Sequence, residues 1–291
     1  MRVLILGASG MLGSAAYKVF GEAEQFEVIG ALRSPAARRA LPEDGRRRLR
    51  IGVDVENFDS VIRAFADVRP DLVLNCIGVI KQLDSGKDPL AAIPLNALLP
   101  HRLAALCRAC GARLIHVSTD CVFTGRKGMY QEQDAPDAED LYGRSKLLGE
   151  AAGPEAVTLR TSIIGEELFG GANGLVGWFL SQRGSVKGFR RAIFSGFPTV
   201  TLARIMRDVL APRPELSGLF HVSSAPINKY ELLGLVARAY ERDIEIVPDD
   251  ALVIDRSLDS KRFQAASGFA PPPWPALVEE MRAASPFWAR N

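Results

Sequence analysis

Short apolar runs alternate with amphipathic stretches along most of this 291-residue chain. Val3–Leu6 is continuously apolar and is closed by glycines, the pattern of a strand buried on both faces. Met11–Phe20 predicts a helix, Phe26–Leu32 a second strand and Leu49–Val53 a third. Phe58–Phe65 predicts a helix, and Leu72–Cys76 a strand after Pro70. A long helix is predicted over Pro94–Arg108, ending at Gly111, then a strand over Leu114–Val117. Leu141–Ala151 predicts a helix and Val157–Leu159 a strand. Regular alternation of strand and helix predicts the α/β class: a doubly wound parallel sheet with right-handed crossovers.

After Thr161 the pattern loosens. Helices are predicted around Leu175–Leu180, over Ala203–Leu210 and Tyr230–Tyr240, and at Pro275–Ala284; Leu219–Val222 predicts a strand and Asp255–Phe269 a helical turn region. No repeat or low-complexity linker interrupts the chain. The expected organisation is a nucleotide-binding domain over residues 1–164 and a smaller α/β lobe over 165–291, mainly for substrate. Elements around 196–223 are expected to return to the first domain.

Composition removes several classes. Hydrophobic residues are 47% and charged residues 24%, which excludes a disordered or fibrous chain. A net charge of +2 is too balanced to imply a nucleic-acid partner. No apolar run reaches the roughly 18–20 residues that span a bilayer, so no membrane is expected. Met1–Leu6 is too short for a signal peptide. Four cysteines, with Cys107 and Cys110 in an apolar helical pattern, read as packed free thiols and point to the cytoplasm. His101, His116 and His221 form no ligand pair, so no metal is expected.

Gly7-Ala8-Ser9-Gly10-Met11-Leu12-Gly13 sits between the first strand and first helix. Gly7 permits a tight turn, Gly10 lets backbone approach a pyrophosphate, and Gly13 allows close helix–strand packing. The helix N-terminus offers unpaired N–H groups to phosphates. Together these make Gly7, Ser9, Gly10, Met11, Leu12 and Gly13 a dinucleotide-binding loop of Rossmann type. The second strand ends Leu32-Arg33-Ser34, with no acid for a ribose 2′-hydroxyl. Arg33 and Ser34 suit a 2′-phosphate, favouring NADPH, with NADH as the alternative. The other arginines of the 38–50 segment read mostly as solvated surface. Asp54 and Val55 are placed to flank the adenine.

Tyr142 and Lys146, four apart in a predicted helix, share one face. A nearby ammonium favours a phenolate, so Lys146 is expected to lower the Tyr142 pKa. Thr119, at the carboxyl end of the fifth strand, is placed to hydrogen-bond a substrate carbonyl, with Asp120 beside it.

The sequence resembles the extended short-chain dehydrogenase/reductases, and within them the dTDP-4-dehydrorhamnose reductase branch. The resemblance rests on Gly7–Gly13, Ser118-Thr-Asp-Cys-Val-Phe-Thr-Gly125, Tyr142-Gly-Arg-Ser-Lys-Leu-Leu-Gly-Glu150 and Leu159-Arg-Thr-Ser162. It covers the first 165 residues well and later residues thinly, as at Ser257-Leu258-Asp259. It implies a reductase of nucleotide-linked 4-keto-6-deoxy sugars, used in sugar-nucleotide or surface polysaccharide biosynthesis. Thr119, Tyr142 and Lys146 match the branch's catalytic positions. Cys76, Ile77, Gly78 and Asn96 match positions lining the nicotinamide side. Cys121 stands where the branch has Tyr, and Val79-Ile80-Lys81-Gln82 and Phe189–Pro198 also depart from its pattern. A dehydratase of the same fold would carry Asp-Glu after the Thr, where this chain has Asp120-Cys121. An epimerase shares the Thr/Tyr/Lys set. The β subunit of methionine adenosyltransferase also resembles this branch, making a non-catalytic nucleotide-binding subunit the alternative of another class.

By elimination, the nucleotide-sugar partner is expected in the lobe after Gly165. Arg190, Arg191 and Arg256 would meet its diphosphate, and Asn173 and Trp178, with Phe179, its sugar and base. The Val79–Asp88 loop is the alternative location. A homodimer is compatible with the chain.

Overall fold

The structure, a computed structural model, describes residues 1–79, 86–168 and 172–285. Six strands follow the predicted order: β1 Arg2–Leu6, β2 Glu27–Leu32, β3 Arg47–Ile51, β4 Leu72–Asn75, β5 Arg113–Val117 and β6 Ala156–Arg160. A seventh, Gly218–His221, pairs with β6. All are parallel, and the order across the sheet is Gly218–His221, β6, β5, β4, β1, β2, β3. Chain direction across the sheet therefore reverses between β1 and β4, opening a crevice at their carboxyl ends, where ligands of such sheets bind.

Strand side chains alternate between two cores. Val3, Ile5, Leu72, Leu74 and Ile115 face helix α1, Met11–Gly21, and later helices Thr199–Arg204 and Trp274–Ala284. Leu4, Leu6, Val73 and Leu114 face the opposite way. They pack on Val61, Ala64 and Phe65 of helix α2, Phe58–Val68, and on Leu99, Leu103 and Cys107. These last residues belong to a helical stretch, Pro89–Cys110, longer than the pattern predicts. Asp88 caps it by accepting from the Leu90 N–H at 2.9 Å, and Gly111 ends it in the left-handed region at φ 68°. At 22 residues and a mean hydropathy of 1.4 in its best window, it has the length and apolarity of a membrane span. Its inner face is applied to the sheet, which accounts for that apolarity.

The chain after Ile164 departs most from the sequence pattern. Thr199–Arg204 packs on α1, and Gly218–His221 extends the sheet. Before and after these lie small strands that periodicity did not mark. Ala192–Phe194 pairs antiparallel with Ile227–Asn228 and parallel with Ile254–Asp255, while Ser185–Phe189 pairs parallel with Glu245–Asp249. The region expected as helical over Asp255–Phe269 begins as strand and becomes helix only at Lys261–Ser267. Strands of two or three residues are too short to show alternation.

Two glycines hold α1 to β1. Gly7 has φ +79°, and a Cβ there would lie 2.9 Å from Ile77 Cγ1. A Cβ on Gly13 would collide with the Gly7 carbonyl. Gly13→Ala should therefore destabilise the protein by about 1–3 kcal/mol, as overpacking does. Gly45→Ala, at an exposed position with open space, should be near neutral. Urea denaturation of the two variants checks this; equal midpoints would refute the packing argument.

Candidate functional site

The first turn of α1 opens on the crevice. Gly10 precedes it at φ −78°, ψ 167°, with no side chain capping the helix and no acid in its first turn. Gly7 and Gly10 close a backbone turn, the Gly10 N–H donating to the Gly7 carbonyl at 2.9 Å. Ser9 and Gly10 are exposed, Met11 is half-buried and Leu12 is buried. The cradle is lined by hydrogen where a side chain would otherwise stand, as an approaching pyrophosphate requires.

Arg33 and Ser34 are exposed at the end of β2. Most of the arginines that follow are engaged. Arg38 pairs with Glu43 at 3.0 Å, Arg47 with Asp44 at 2.7 Å, Arg50 with Asp67 at 2.5 Å, and Arg48 with Glu27. Arg33 has no ion-pair or hydrogen-bond partner among the described residues. Asp54 and Val55 are half-buried beyond β3, where the Ser60 hydroxyl donates to the Asp54 carbonyl at 2.7 Å. The Asp54 carboxylate is partly taken up by the Glu56 N–H at 3.1 Å.

At the end of β4, Cys76 and Ile77 are half-buried and Gly78 is exposed. Burial pushes the Cys76 thiol up to about 12, so it is a neutral wall rather than a nucleophile. Asn96, expected on the nicotinamide side, is fully buried next to Gly78. Its Oδ1 accepts from the Val79 N–H at 2.9 Å, and its Nδ2 donates to Val79 O and to Ser145 Oγ, each at 3.2 Å. It lies in a wider, π-type turn over Ile93–Leu98 and ties the loop after β4 to the Tyr142 helix. The expected Val79-Ile80-Lys81-Gln82 departure and most of the Val79–Asp88 loop lie outside the described residues.

Tyr142 and Lys146 occupy the helix Leu141–Leu148, capped by Asp140, whose carboxylate accepts from the Gly143 N–H at 2.8 Å. Gly143 packs against the Cys121 carbonyl with no room for a Cβ, which seats the helix on the segment after β5. The Thr119 hydroxyl lies beside the Tyr142 phenol. It also accepts from the Cys121 N–H at 3.1 Å and donates to Asp120 Oδ1 at 3.2 Å.

The electrostatics differ from expectation. Burial raises the Tyr142 pKa, Cys121 and Asp120 add to the rise, and the Thr119 hydrogen bond opposes it. The Lys146 Nζ donates to the Val117 carbonyl at 2.7 Å. Burial lowers Lys146 itself to about 8, opposed by Glu150. Glu150 is held by Arg160, with Nε and Nη2 each donating at 2.6 Å, and by the Ser118 hydroxyl at 2.8 Å. Burial also raises the Asp120 carboxyl, against the pull of Arg256.

The lobe residues do not converge as expected. Arg256 reaches the site, donating from Nε to the Phe123 carbonyl at 2.7 Å and facing Asp120 and Cys121. Arg190 is exposed and bidentate to Asp250, and the neighbouring Arg191 is exposed beside the same carboxylate. Both precede Ala192, at the end of its short strand away from Arg256's register row. Asn173 donates to Glu167 through its backbone N–H at 3.1 Å and its amide at 3.2 Å. Trp178 is exposed, whereas Phe179 is wholly in the core and cannot serve as a platform. Helix periodicity put Trp178 and Phe179 together; packing gave them opposite fates. One cation was missed altogether. Lys229 begins the helix Lys229–Ala239 and faces Asp120, Cys121 and Arg256. Nothing local in the sequence marks it, because two chain reversals bring it there. Among the described residues, no group of three His, Cys, Asp or Glu is arranged to hold a metal ion.

Sheet order, glycine cradle and the Thr/Tyr/Lys cluster together define a nucleotide-binding α/β protein of the extended short-chain dehydrogenase/reductase type. More narrowly, the chain belongs to the RmlD substrate binding domain family, which matches residues 1–285. It is 31% identical over 260 residues to methionine adenosyltransferase 2 subunit beta of Rattus norvegicus, covering 82% of this chain and 72% of that one. It is 30% identical over 271 residues to a "Probable low-salt glycan biosynthesis reductase Agl14" of Haloferax volcanii, covering 89% and 84%. Among solved structures, a dTDP-4-dehydrorhamnose reductase of Clostridium acetobutylicum superposes with a TM-score of 0.80 at 23% identity, covering 98% of this chain and all of that one. One from Bacillus anthracis, in complex with NADP, gives 0.77 at 21%, covering 98% and 99%.

Lys146 makes stability depend on pH with a definite sign. Its folded pKa of about 8 lies below the ordinary value of 10.5, so between these the unfolded chain binds more protons. Its contribution is fully present above the ordinary value and is lost as pH falls through about 8. Replacing Lys146 by Met should flatten the rise of stability between pH 8 and 10. Denaturant midpoints across that range check it; an unchanged slope would show that Lys146 titrates normally.

Proposed function

We propose that this protein is an NADPH-dependent reductase of a nucleotide-linked 4-keto-6-deoxy sugar. The observation that carries the reading is the Thr119–Tyr142–Lys146 cluster beside an open glycine cradle, on one edge of the sheet. When bound, the reduced nicotinamide supplies a hydride to the ketone carbon. The residues present fit such a group: Ser9 and Gly10 are exposed at the uncapped first turn of α1, and Lys146 stands at the end of β5 with its Nζ on the Val117 carbonyl.

Tyr142 donates the proton that neutralises the forming alkoxide. Its raised pKa keeps the phenol protonated at neutral pH, the state a proton donor needs, and an alkoxide is the stronger base. Thr119 orients the ketone oxygen toward the phenol. Lys146 offers a positive charge that compensates the phenolate once it forms. Asn96 acts at one remove, holding the Tyr142 helix against the loop after β4. The lobe after Gly165 supplies the substrate's other contacts, with Arg256 retained from the expected set and Asn173, Arg190 and Arg191 set aside.

NADPH over NADH rests on Arg33, an unengaged cation among engaged ones. Arg33→Ala should weaken NADPH by about tenfold or more and leave NADH within about twofold. Fluorescence titration of both cofactors decides; equal losses would remove the 2′-phosphate assignment.

A second reading has the likeness to methionine adenosyltransferase 2 subunit beta behind it: a nucleotide-binding subunit without turnover. Oxidation of NADPH with dTDP-4-keto-6-deoxyglucose separates the two. For the reductase, Tyr142→Phe should keep cofactor affinity and cut kcat by about 10²–10⁴-fold. Turnover near wild type in that variant would mean another group is the acid.

A further inference from the structure

We infer that Lys229, with Arg256, receives an anionic group of the substrate directly beside Thr119 and Asp120, making Lys229 a specificity-determining residue. The argument starts from topology. The strand Ala192–Phe194 is flanked by Ile227–Asn228 on one side and Ile254–Asp255 on the other, with Asn228, Ile193 and Asp255 in one row. Each flanking strand is followed at once by a cation, Lys229 and Arg256. The Asp255 N–H donates to the Gly125 carbonyl at 2.8 Å, and Arg256 Nε to the Phe123 carbonyl at 2.7 Å. These bonds press the small sheet onto the segment after β5, so both cations face Asp120 and Cys121.

Charge then decides what the place can hold. Two cations meet one carboxylate, Asp120, which is 8% exposed and already takes the Thr119 hydroxyl at 3.2 Å. The Asp255 carboxylate lies on the opposite face of its strand from Arg256, over Gly128 and accepting from the Ser257 N–H and hydroxyl at 2.9 and 2.6 Å. Lys229 makes no direct ion pair among the described residues. A surplus positive charge in a half-buried cleft is unfavourable until an anion meets it. Cys121, small where the branch has Tyr, leaves the approach unblocked. The inference rests on the reductase reading only for the substrate's identity. The shared chemistry is a negative charge near the reacting carbon: the diphosphate, as the 6-deoxy reading requires, or a C6 carboxylate, which would replace the 6-deoxy assignment.

Calorimetric titration of the full-length protein with dTDP, UDP and UDP-glucuronate, in wild type, Lys229→Met and Lys229→Arg, tests it. If the diphosphate is the partner, Lys229→Met weakens the better-bound nucleoside diphosphate by about tenfold or more. If a sugar carboxylate is the partner, only UDP-glucuronate loses that factor. In either case Lys229→Arg stays within about threefold of wild type. All three probes within twofold in Lys229→Met, or none bound by wild type, overturns the inference. Retained NADPH affinity certifies the fold; should Lys229→Met lose it, Lys229→Gln is measured by the same criteria. Absence of ketone reduction by wild type would sink the reductase reading and leave these binding results intact.

Discussion

A seven-stranded parallel sheet whose central strands are buried on both faces leaves one edge for chemistry, the edge where their carboxyl ends converge. Everything functional here follows from that constraint. The sheet's interior is mostly apolar, with Val3 to Leu6, Leu72 to Leu74 and Leu114 to Ile115 spent on packing. Its buried polar side chains are satisfied inside, as Asn75 is by His116 at 3.1 Å and Thr158 by the Ala151 carbonyl at 2.8 Å, so groups free for chemistry appear where strands give way to loops. There the glycine turn after β1, Cys76 after β4, Thr119 after β5 and Arg160 at the end of β6 fall in one row. Reversal of chain direction between β1 and β4 keeps the row open.

Burial sets the electrostatic character of this edge. Tyr142, Lys146 and Asp120 are all driven toward their neutral forms, the first and third upward and the second downward. The Glu150–Arg160 pair, bidentate and bonded to Ser118, is the fixed counterweight behind Lys146. Replacing either partner would leave an uncompensated buried charge, which is far more damaging than losing an exposed pair such as Arg190–Asp250. The site is thus a set of groups driven toward their neutral forms beside one buried ion pair.

The lobe after Gly165 is stitched to the sheet at several places rather than hung from it. Thr199–Arg204 packs on α1, Gly218–His221 extends the sheet, and Arg256 donates to the loop after β5. The lobe's contacts with the sheet are therefore built from residues distant in sequence, and their positions depend on how short strands register.

Local pattern was enough to place β1 to β6 and α1, because long apolar runs and amphipathic helices have periods that a chain carries in itself. It was enough for the glycine cradle, where a positive φ at Gly7 and a forbidden Cβ at Gly13 leave one residue type. It also placed Thr119, Tyr142 and Lys146 on a common edge through strand ends and helix spacing. The direction of the Tyr142 pKa was beyond it, since burial decides it, with Cys121 and Asp120 adding to the rise. Arg190 and Arg256 look alike as residues, and only tertiary pairing gave one to Asp250 and the other to the site. That Asn96 ties the loop after β4 to the Tyr142 helix was likewise beyond local pattern. Lys229 carried no local mark, because its place depends on a three-stranded sheet whose strands share no periodicity and meet only when the chain has folded back twice.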